Sequence, residues 1–415
     1  MFDQMLLLLE PLTSHPDMFK ILCLPVVAGL VGFGTNWLAV KMTFYPEQPI
    51  GKPPFFGWQG ILPMKQEKMA GIMVDSTLSK LGSMEEILRE MEPAKIAAHI
   101  SQVTGARIEE YSDEIMSESN GVLWDNMPLM VKERVYSRAK RQIPIIMEGL
   151  IEDITNNIER LVDMKTLVVD QLRSEDGLIT RVFLEVGAPE FNFVIKSGFI
   201  FGFIFGLIQI PVWIAFENVN WILPLFGFLV GTATNWLALN MIFSPLNPIK
   251  VGPFTFHGLF LRRQDEVAET FSQIATEEIL TVQNLMTAVM NGPKAHLTKA
   301  MIKKHVRPFI EGGVVRTAAQ LTVGPSGYAN LKRSVESKAL DMSMDSFDDP
   351  QFNQERAVVA SKLFRERMQA MTSEEFQDLL RPAFKEDEWI LVAIGGFLGM
   401  VAGFVQLVYV FGQPI

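Results

Sequence analysis

Four stretches of about 20 residues, 21–40, 197–216, 221–243 and 389–411, contain no charged side chain, and that is the length a helix needs to cross the hydrocarbon core of a bilayer. In lipid every backbone polar group must be satisfied within the segment, so each stretch is expected to be helical. Five of the seven tryptophans, Trp37, Trp213, Trp221, Trp236 and Trp389, fall within or at the ends of these stretches, where an aromatic belt meets the headgroups. A hydrophobic fraction of 48% agrees with an all-α integral membrane protein.

Only residues 217–220 separate the second and third stretches, so these form a tight hairpin. The two long charged segments, 45–196 and 244–388, are then expected on one side of the membrane as two helical soluble domains. Lys41, Lys52, Lys65, Lys196, Lys250, Arg262, Arg263, Arg381 and Lys385 flank the spans on that side, against Lys20 opposite. The excess of positive charge predicts that this side is cytoplasmic. Residues 1–20 carry a leucine run with Asp3 and Glu10 and no basic leader, which predicts an interfacial segment in place of a cleaved signal.

The chain repeats itself. At an offset of 199, Pro25, Gly32, Thr35, Asn36, Trp37, Leu38, Ala39, Met42, Phe44, Pro46 and Pro49 fall on Pro224, Gly231, Thr234, Asn235, Trp236, Leu237, Ala238, Met241, Phe243, Pro245 and Pro248. At an offset of 197, Gly198, Gly202, Gly206 and Gln209 fall on Gly395, Gly399, Gly403 and Gln406. This predicts two tandem units, 21–216 and 221–415, each with a leading helix, a polar domain and a glycine-ribbed trailing helix. Both run in the same direction, so they form a parallel repeat about an axis along the membrane normal. Inside the polar segments, Ser83 with Glu86 has capping-box spacing, Ser373 marks another helix start, and 127–172 has apolar residues at three- and four-residue spacing.

These residues carry a resemblance. The pattern G-x-x-TNWLA-x-x-M-x-F-x-P-x-x-P together with a terminal G-x-x-x-G-x-x-x-G-x-x-Q helix resembles the bacterial family known as domain of unknown function 445. Leu261 and Asn240 depart from the first unit's Pro63 and Lys41. The resemblance implies a multi-pass protein of the bacterial inner membrane, and brings no catalytic residue with it.

An amide inside an apolar helix needs a partner, because leaving it unpaired in lipid costs several kcal/mol. Residues four apart share a helix face, which puts Gly32 with Asn36 and Gly231 with Asn235. Small residues on such a stripe let helices approach closely. Asn36 is therefore expected to meet Asn235 across the repeat axis, or backbone carbonyls near Gly202 and Gly399, with Gln209 and Gln406 forming a deeper layer. Thr35 and Thr234 add hydroxyls. These side chains read first as packing; the alternative reading is a polar path for a lipid or small solute. The segments after the leading helices combine proline, aromatic and basic residues, so Lys52, Lys65, Lys68, Lys250, Arg262 and Arg263 are candidate contacts for phospholipid headgroups.

Catalytic signatures are missing from the sequence. His15, His99, His257, His296 and His305 show no metal-ligand spacing, GLVGFG at 29–34 follows no strand, and Cys23 is the single cysteine. A formal charge of −10 argues against nucleic acid. The sequence thus predicts a scaffold, tether or membrane organiser without enzymatic activity or cofactor, with partners limited to phospholipid and a second copy or protein bound through the soluble domains.

Overall fold

The computed structural model describes residues 18–52, 56–175, 177–216, 219–311, 324, 327–335, 338, 345–385 and 388–409. In chain order its elements are α1 (Met18–Phe44), β1 (Ile50–Lys52), β2 (Phe56–Trp58), α2 (Ile61–Met64), α3 (Gln66–Met73), α4 (Met84–Glu90), α5 (Pro93–Ala106) and α6 (Ile108–Asp125). There follow α7 (Leu129–Leu161), α8 (Met164–Ser174), α9 (Leu178–Ala215), α10 (Ile222–Phe243), β3 (Ile249–Val251), β4 (Phe254–Phe256), α11 (Leu259–Arg262) and α12 (Gln264–Ile274). The last are α13 (Val282–Asn291), α14 (Ala295–Glu311), α15 (Pro350–Ala370), α16 (Ser373–Lys385) and α17 (Glu388–Tyr409). Four of these, α1, α9, α10 and α17, are long and apolar enough to cross a membrane.

The chain divides into two compact units, but the division does not follow the tandem halves. One unit gathers 1–77, 175–267 and 370–415; the other gathers 78–174 and 268–369. The polar segments 45–196 and 244–388 therefore do not fold as two separate domains. Their middles share one core, because amphipathic helices from each half bury their apolar faces against the other.

In the first unit α1 lies against α9 and α10 against α17. The pattern inverts that of a water-soluble bundle. Leu22, Val26, Leu30, Phe33 and Trp37 of α1 are exposed, while Gly32, Thr35, Asn36 and Ala39 are buried. In lipid a large apolar side chain gains little by turning inward, so close-packing small residues and hydrogen-bonding groups take the interior. Ile21, Leu24, Trp213, Leu223 and Leu407 close one end of the bundle as an apolar cluster.

Each leading helix is followed by a short antiparallel hairpin: Ile50 pairs with Trp58 and Lys52 with Phe56, and in the second Ile249 pairs with Phe256 and Lys250 with Thr255. These strands went unread in the sequence, since three residues are too few to show alternation. Both hairpins come after a cis proline, at Tyr45–Pro46 and Ser244–Pro245. Next come a one-turn helix (α2, α11), a second helix (α3, α12) and a π-helical turn, Val74–Leu78 or Ala275–Ile279.

The second unit is helical throughout its described residues. On α7 the residues Ile143, Met147, Leu150, Ile151 and Ile154 are buried at the spacing the sequence shows, beside Ile96 and Ile100 of α5 and Ile302, Val306 and Ile310 of α14. The two halves are also joined by ions: Arg356 bonds Glu92, Arg367 bonds Glu86 at 3.0 Å, and Asp153 accepts from Lys304 at 2.7 Å and His305 at 2.8 Å. Lys304 and then His305 hold the Asp153 carboxyl below the usual carboxylate range.

Several boundaries shift. The first helix runs over Met18–Phe44 and its spanning stretch over Ile21–Phe44, so the span starts where the sequence places it and continues four residues further; 1–17 lie outside the described residues. The second begins inside α9, whose 38 residues start at Leu178. Ser83 and Glu86 form the capping box. The cap of α16 is Thr372, whose hydroxyl accepts from the Glu375 N–H at 3.3 Å while the Glu375 carboxylate accepts from the Thr372 N–H at 2.9 Å. Ser373 is thus the first helical residue, the start the sequence marks. In the second unit, α13 closes at Asn291–Gly292.

Candidate functional site

The intramembrane amides, threonines and glycines converge on two helix contacts of matching geometry. On α1, Asn36 is fully buried and its Nδ2 donates to the Val194 carbonyl of α9 at 2.8 Å. On α10, Asn235 Nδ2 donates to the Leu391 carbonyl of α17, also at 2.8 Å. Asn36 does not pair with Asn235, and the carbonyls lie two turns before Gly202 and Gly399, not beside them. The reason is the residue one turn after each acceptor. A Cβ built on Gly198 would stand 2.7 Å from Asn36 Nδ2, and one on Gly395 would collide with Asn235 Nδ2. The TNW asparagine and the first trailing-helix glycine are one device: the glycine leaves the gap through which the amide reaches backbone.

The remaining glycines set how near the helices come. A Cβ on Gly32 would meet the Gly198 carbonyl, and one on Gly231 the Gly395 carbonyl. One on Gly202 would lie 2.5 Å from the Ala28 carbonyl oxygen and one on Gly206 2.5 Å from Pro25 Cα; Gly399 abuts the Gly227 carbonyl, and Gly403 the Leu223 carbonyl at 2.5 Å. Backbone cannot rotate away as a side chain can, so these contacts hold the helices at a fixed distance. Thr35 and Thr234 donate back to the Gly32 and Gly231 carbonyls at 3.1 and 3.2 Å, satisfying their hydroxyls locally.

Gln209 and Gln406 are buried and line a common cavity of about 20 Å³ with Ala28, Gly32, Thr35 and Gly231. That is room for about one water. Among the described residues no acceptor reaches Gln406 Nε2, and the Oδ1 atoms of Asn36 and Asn235 have no donor. Among the described residues no three His, Cys, Asp or Glu side chains are grouped to hold a metal ion.

The basic residues separate into kinds. Arg263 is not available to a headgroup: Nη1 donates to both Glu190 carboxylate oxygens, at 2.8 and 2.6 Å, while Nε and Nη2 hold Glu266 at 2.9 and 2.8 Å. Glu190 lies buried on α9, and a buried carboxylate demands a cation. Those two carboxylates raise the Arg263 pKa, and Arg263 lowers that of Glu266. Sequence reasoning missed Glu190, although an acid embedded in the apolar run before Ser197 was the available signal. Lys65 and Lys68 already hold interactions within the protein. Lys250 and Arg262 are exposed, and the Lys52 side chain falls outside the described set.

No family model matches the chain, so the resemblance to domain of unknown function 445 rests on its motifs alone, and no solved structure matches. Over 126 residues the chain is 26% identical to a UPF0754 membrane protein of Exiguobacterium sibiricum. That stretch is 29% of this chain and 32% of the relative, so the chain spans about a third of the length of the curated relative it matches. With four apolar helices of spanning length, this similarity identifies the chain as an all-α membrane protein, akin to one that is itself named only as a membrane protein.

Proposed function

We propose that the chain is a non-enzymatic scaffold, tether or membrane organiser of the bacterial inner membrane, built as two parallel repeats about a pseudo-twofold axis, with its polar helices on the cytoplasmic side. The repeat is supported by the twinned Asn36–Val194 and Asn235–Leu391 bonds and the twinned hairpins. Sidedness rests on the positive flanks. The observation that carries the scaffold reading is the small size of the cavity the two glutamines share, since the larger groove of about 360 Å³ that Thr35 and Gln406 also line, between α1 and α17, is walled by apolar residues such as Val27, Val31, Leu38, Leu398 and Val401. Glycine-to-carbonyl contacts bring the helices of each pair together, and the cavity lined by both glutamines is about 20 Å³, too small for a lipid headgroup or an organic solute.

The rival, a lipid or small-solute transporter, draws on that same cavity, where Thr35, Gln209 and Gln406 stand together. Cysteine accessibility separates the two without knowledge of a substrate. In a Cys23→Ser background, Gln209→Cys and Thr35→Cys are expected to resist small water-soluble thiol reagents from both sides of native membranes. Reaction at both positions would displace the scaffold reading in favour of a water-filled path. In the same background, Asp345→Cys is expected to be shielded and Val219→Cys labelled by an impermeant reagent applied to intact cells; the reverse pattern would invert the orientation. Crosslinking of the full chain in cells is expected to trap a partner or a second copy, and recovery of the uncrosslinked monomer alone would count against a tether.

A further inference from the structure

We infer that the two β-hairpins are interfacial anchors that lay an apolar cross-strand pair into the headgroup region of the bilayer, with a preference for acidic phospholipid. Each hairpin has at its base a directly opposed pair of large apolar side chains, Ile50 with Trp58 and Ile249 with Phe256, and all four are exposed, at 67%, 41%, 54% and 49%. A two-stranded ribbon standing alone in water is marginal. These strands are three residues long, so the apolar face needs a cover that the described residues do not supply.

The helix ends identify that cover. Ile50 and Ile249 follow the last residues of α1 and α10, Phe44 and Phe243, after a short link. The hairpin base is tied back to that link. Trp58 Nε1 donates to the Tyr45 carbonyl at 3.3 Å and the Gly60 N–H to the Pro46 carbonyl at 2.9 Å; in the second copy the Gly258 N–H reaches the Pro245 carbonyl at 3.0 Å and His257 Nε2 lies 3.1 Å from the Leu246 carbonyl. The ribbon therefore cannot leave the neighbourhood of the spanning helix. Exposed Trp37 and Trp236 lie about two turns back, roughly 10 Å along each helix, at the depth an aromatic belt occupies.

The charges fit a headgroup layer. Lys250 and Thr255 form the exposed polar pair beside the Ile249–Phe256 pair, which makes that ribbon amphipathic. Arg262 is exposed, and Lys41 places its ammonium 5.1 Å above the Trp37 ring. The one acid in the first link, Glu47, is held close to Gly177. Cations at an anionic leaflet add attraction to apolar insertion.

The test uses the full chain with Cys23→Ser and either Ile50→Cys or Ile249→Cys, labelled with an environment-sensitive dye, in nanodiscs holding one copy. Both dyes are expected to lose about half of their emission when the phosphatidylcholine is brominated near the glycerol, as insertion of about 5–10 Å requires. They are also expected to resist aqueous iodide. Quenching is expected to strengthen when phosphatidylglycerol is included, and to lose that gain at Ile249→Cys in the Lys250→Glu, Arg262→Glu background. Iodide quenching without a bromolipid effect would overturn the inference, and protection that appears only in discs carrying two copies would assign the face to self-association. Equal quenching with and without phosphatidylglycerol would overturn the acidic preference.

Discussion

Replacing Gly202 and Gly34 by alanine, one at a time, separates close packing from helix propensity. Both residues lie in spanning helices, and alanine is the better helix former at each by about 1 kcal/mol. Propensity alone therefore predicts that both changes stabilise. The tertiary contacts differ. At Gly34 a Cβ would find nothing within 4 Å, whereas at Gly202 it would stand 2.5 Å from the Ala28 oxygen, 3.0 Å from the Ala28 carbonyl carbon and 3.1 Å from Gly29 Cα. Ordinary contact begins near 3.4 Å, so α1 and α9 must part by about 0.9 Å at this point. A separation of that size forfeits about a quarter to a half of the dispersion energy of the atoms along the seam, and overpacking of this kind costs about 1–3 kcal/mol.

Gly202→Ala is thus expected to destabilise by about 1–3 kcal/mol while Gly34→Ala is neutral or stabilising by up to about 1 kcal/mol. The assay is unfolding of the purified chain in mixed micelles by added dodecyl sulfate, followed by circular dichroism. Opposite signs at the two sites isolate the contact. Equal stabilisation at both, or no change at Gly202, would refute the claim that glycine-to-carbonyl contact holds this helix pair. Gly399, against the Gly227 carbonyl on the other pair, extends the argument. The double variant Gly202→Ala with Gly399→Ala should lose the sum of the single costs if the pairs act independently.

Other outcomes follow from the same geometry. Asn36→Ala should cost about 0.6–2 kcal/mol in the same unfolding assay, and much less in a Gly198→Ala background, because the glycine substitution already blocks the route to Val194; full additivity would show that the amide acts elsewhere. Arg263→Met leaves Glu190 buried without its cation and should cost about 3–5 kcal/mol, with most of that recovered on adding Glu190→Gln; a neutral single variant would show that the pair is solvated. Asp153 has a folded-state pKa below its ordinary value, so its stabilisation is complete above the ordinary carboxylate range and is lost as pH falls through the depressed value. Asp153→Asn should therefore lower thermal stability near neutrality and flatten its decline below about pH 4. An unchanged acid limb would exclude the Lys304 and His305 pairing as its source.

Much of the architecture is written locally, in features that need no partner to be read. Spanning length follows from the hydrocarbon thickness, so 20 uncharged residues suffice to locate each crossing. Ser83 and Glu86 cap their own helix, and the α7 core stripe follows from the helical period, because both are interactions over three or four residues. The limits of this reading fall where a partner is distant in sequence. Asn36 is visibly an amide needing a bond, but Val194 is 158 residues away, and the choice among Asn235, Gly202 and Val194 depends on the sliding register of α1 against α9. The Gly32–Gly198 approach fixes that register.

The same distinction explains the basic residues. Arg263 and Arg262 are neighbours of equal charge, and only the fold turns one onto buried Glu190 and leaves the other exposed. Tandem repetition made two polar domains the natural expectation, yet burial of amphipathic faces is non-local and indifferent to which half supplies them, so 78–174 and 268–369 share a core. The sequence by itself determined that this chain lives in a membrane, where its helices cross and that its halves echo one another, since solvent and helical period act residue by residue. Only the tertiary structure decided what each polar group bonds, because in lipid that answer is set by which backbones glycine allows to touch.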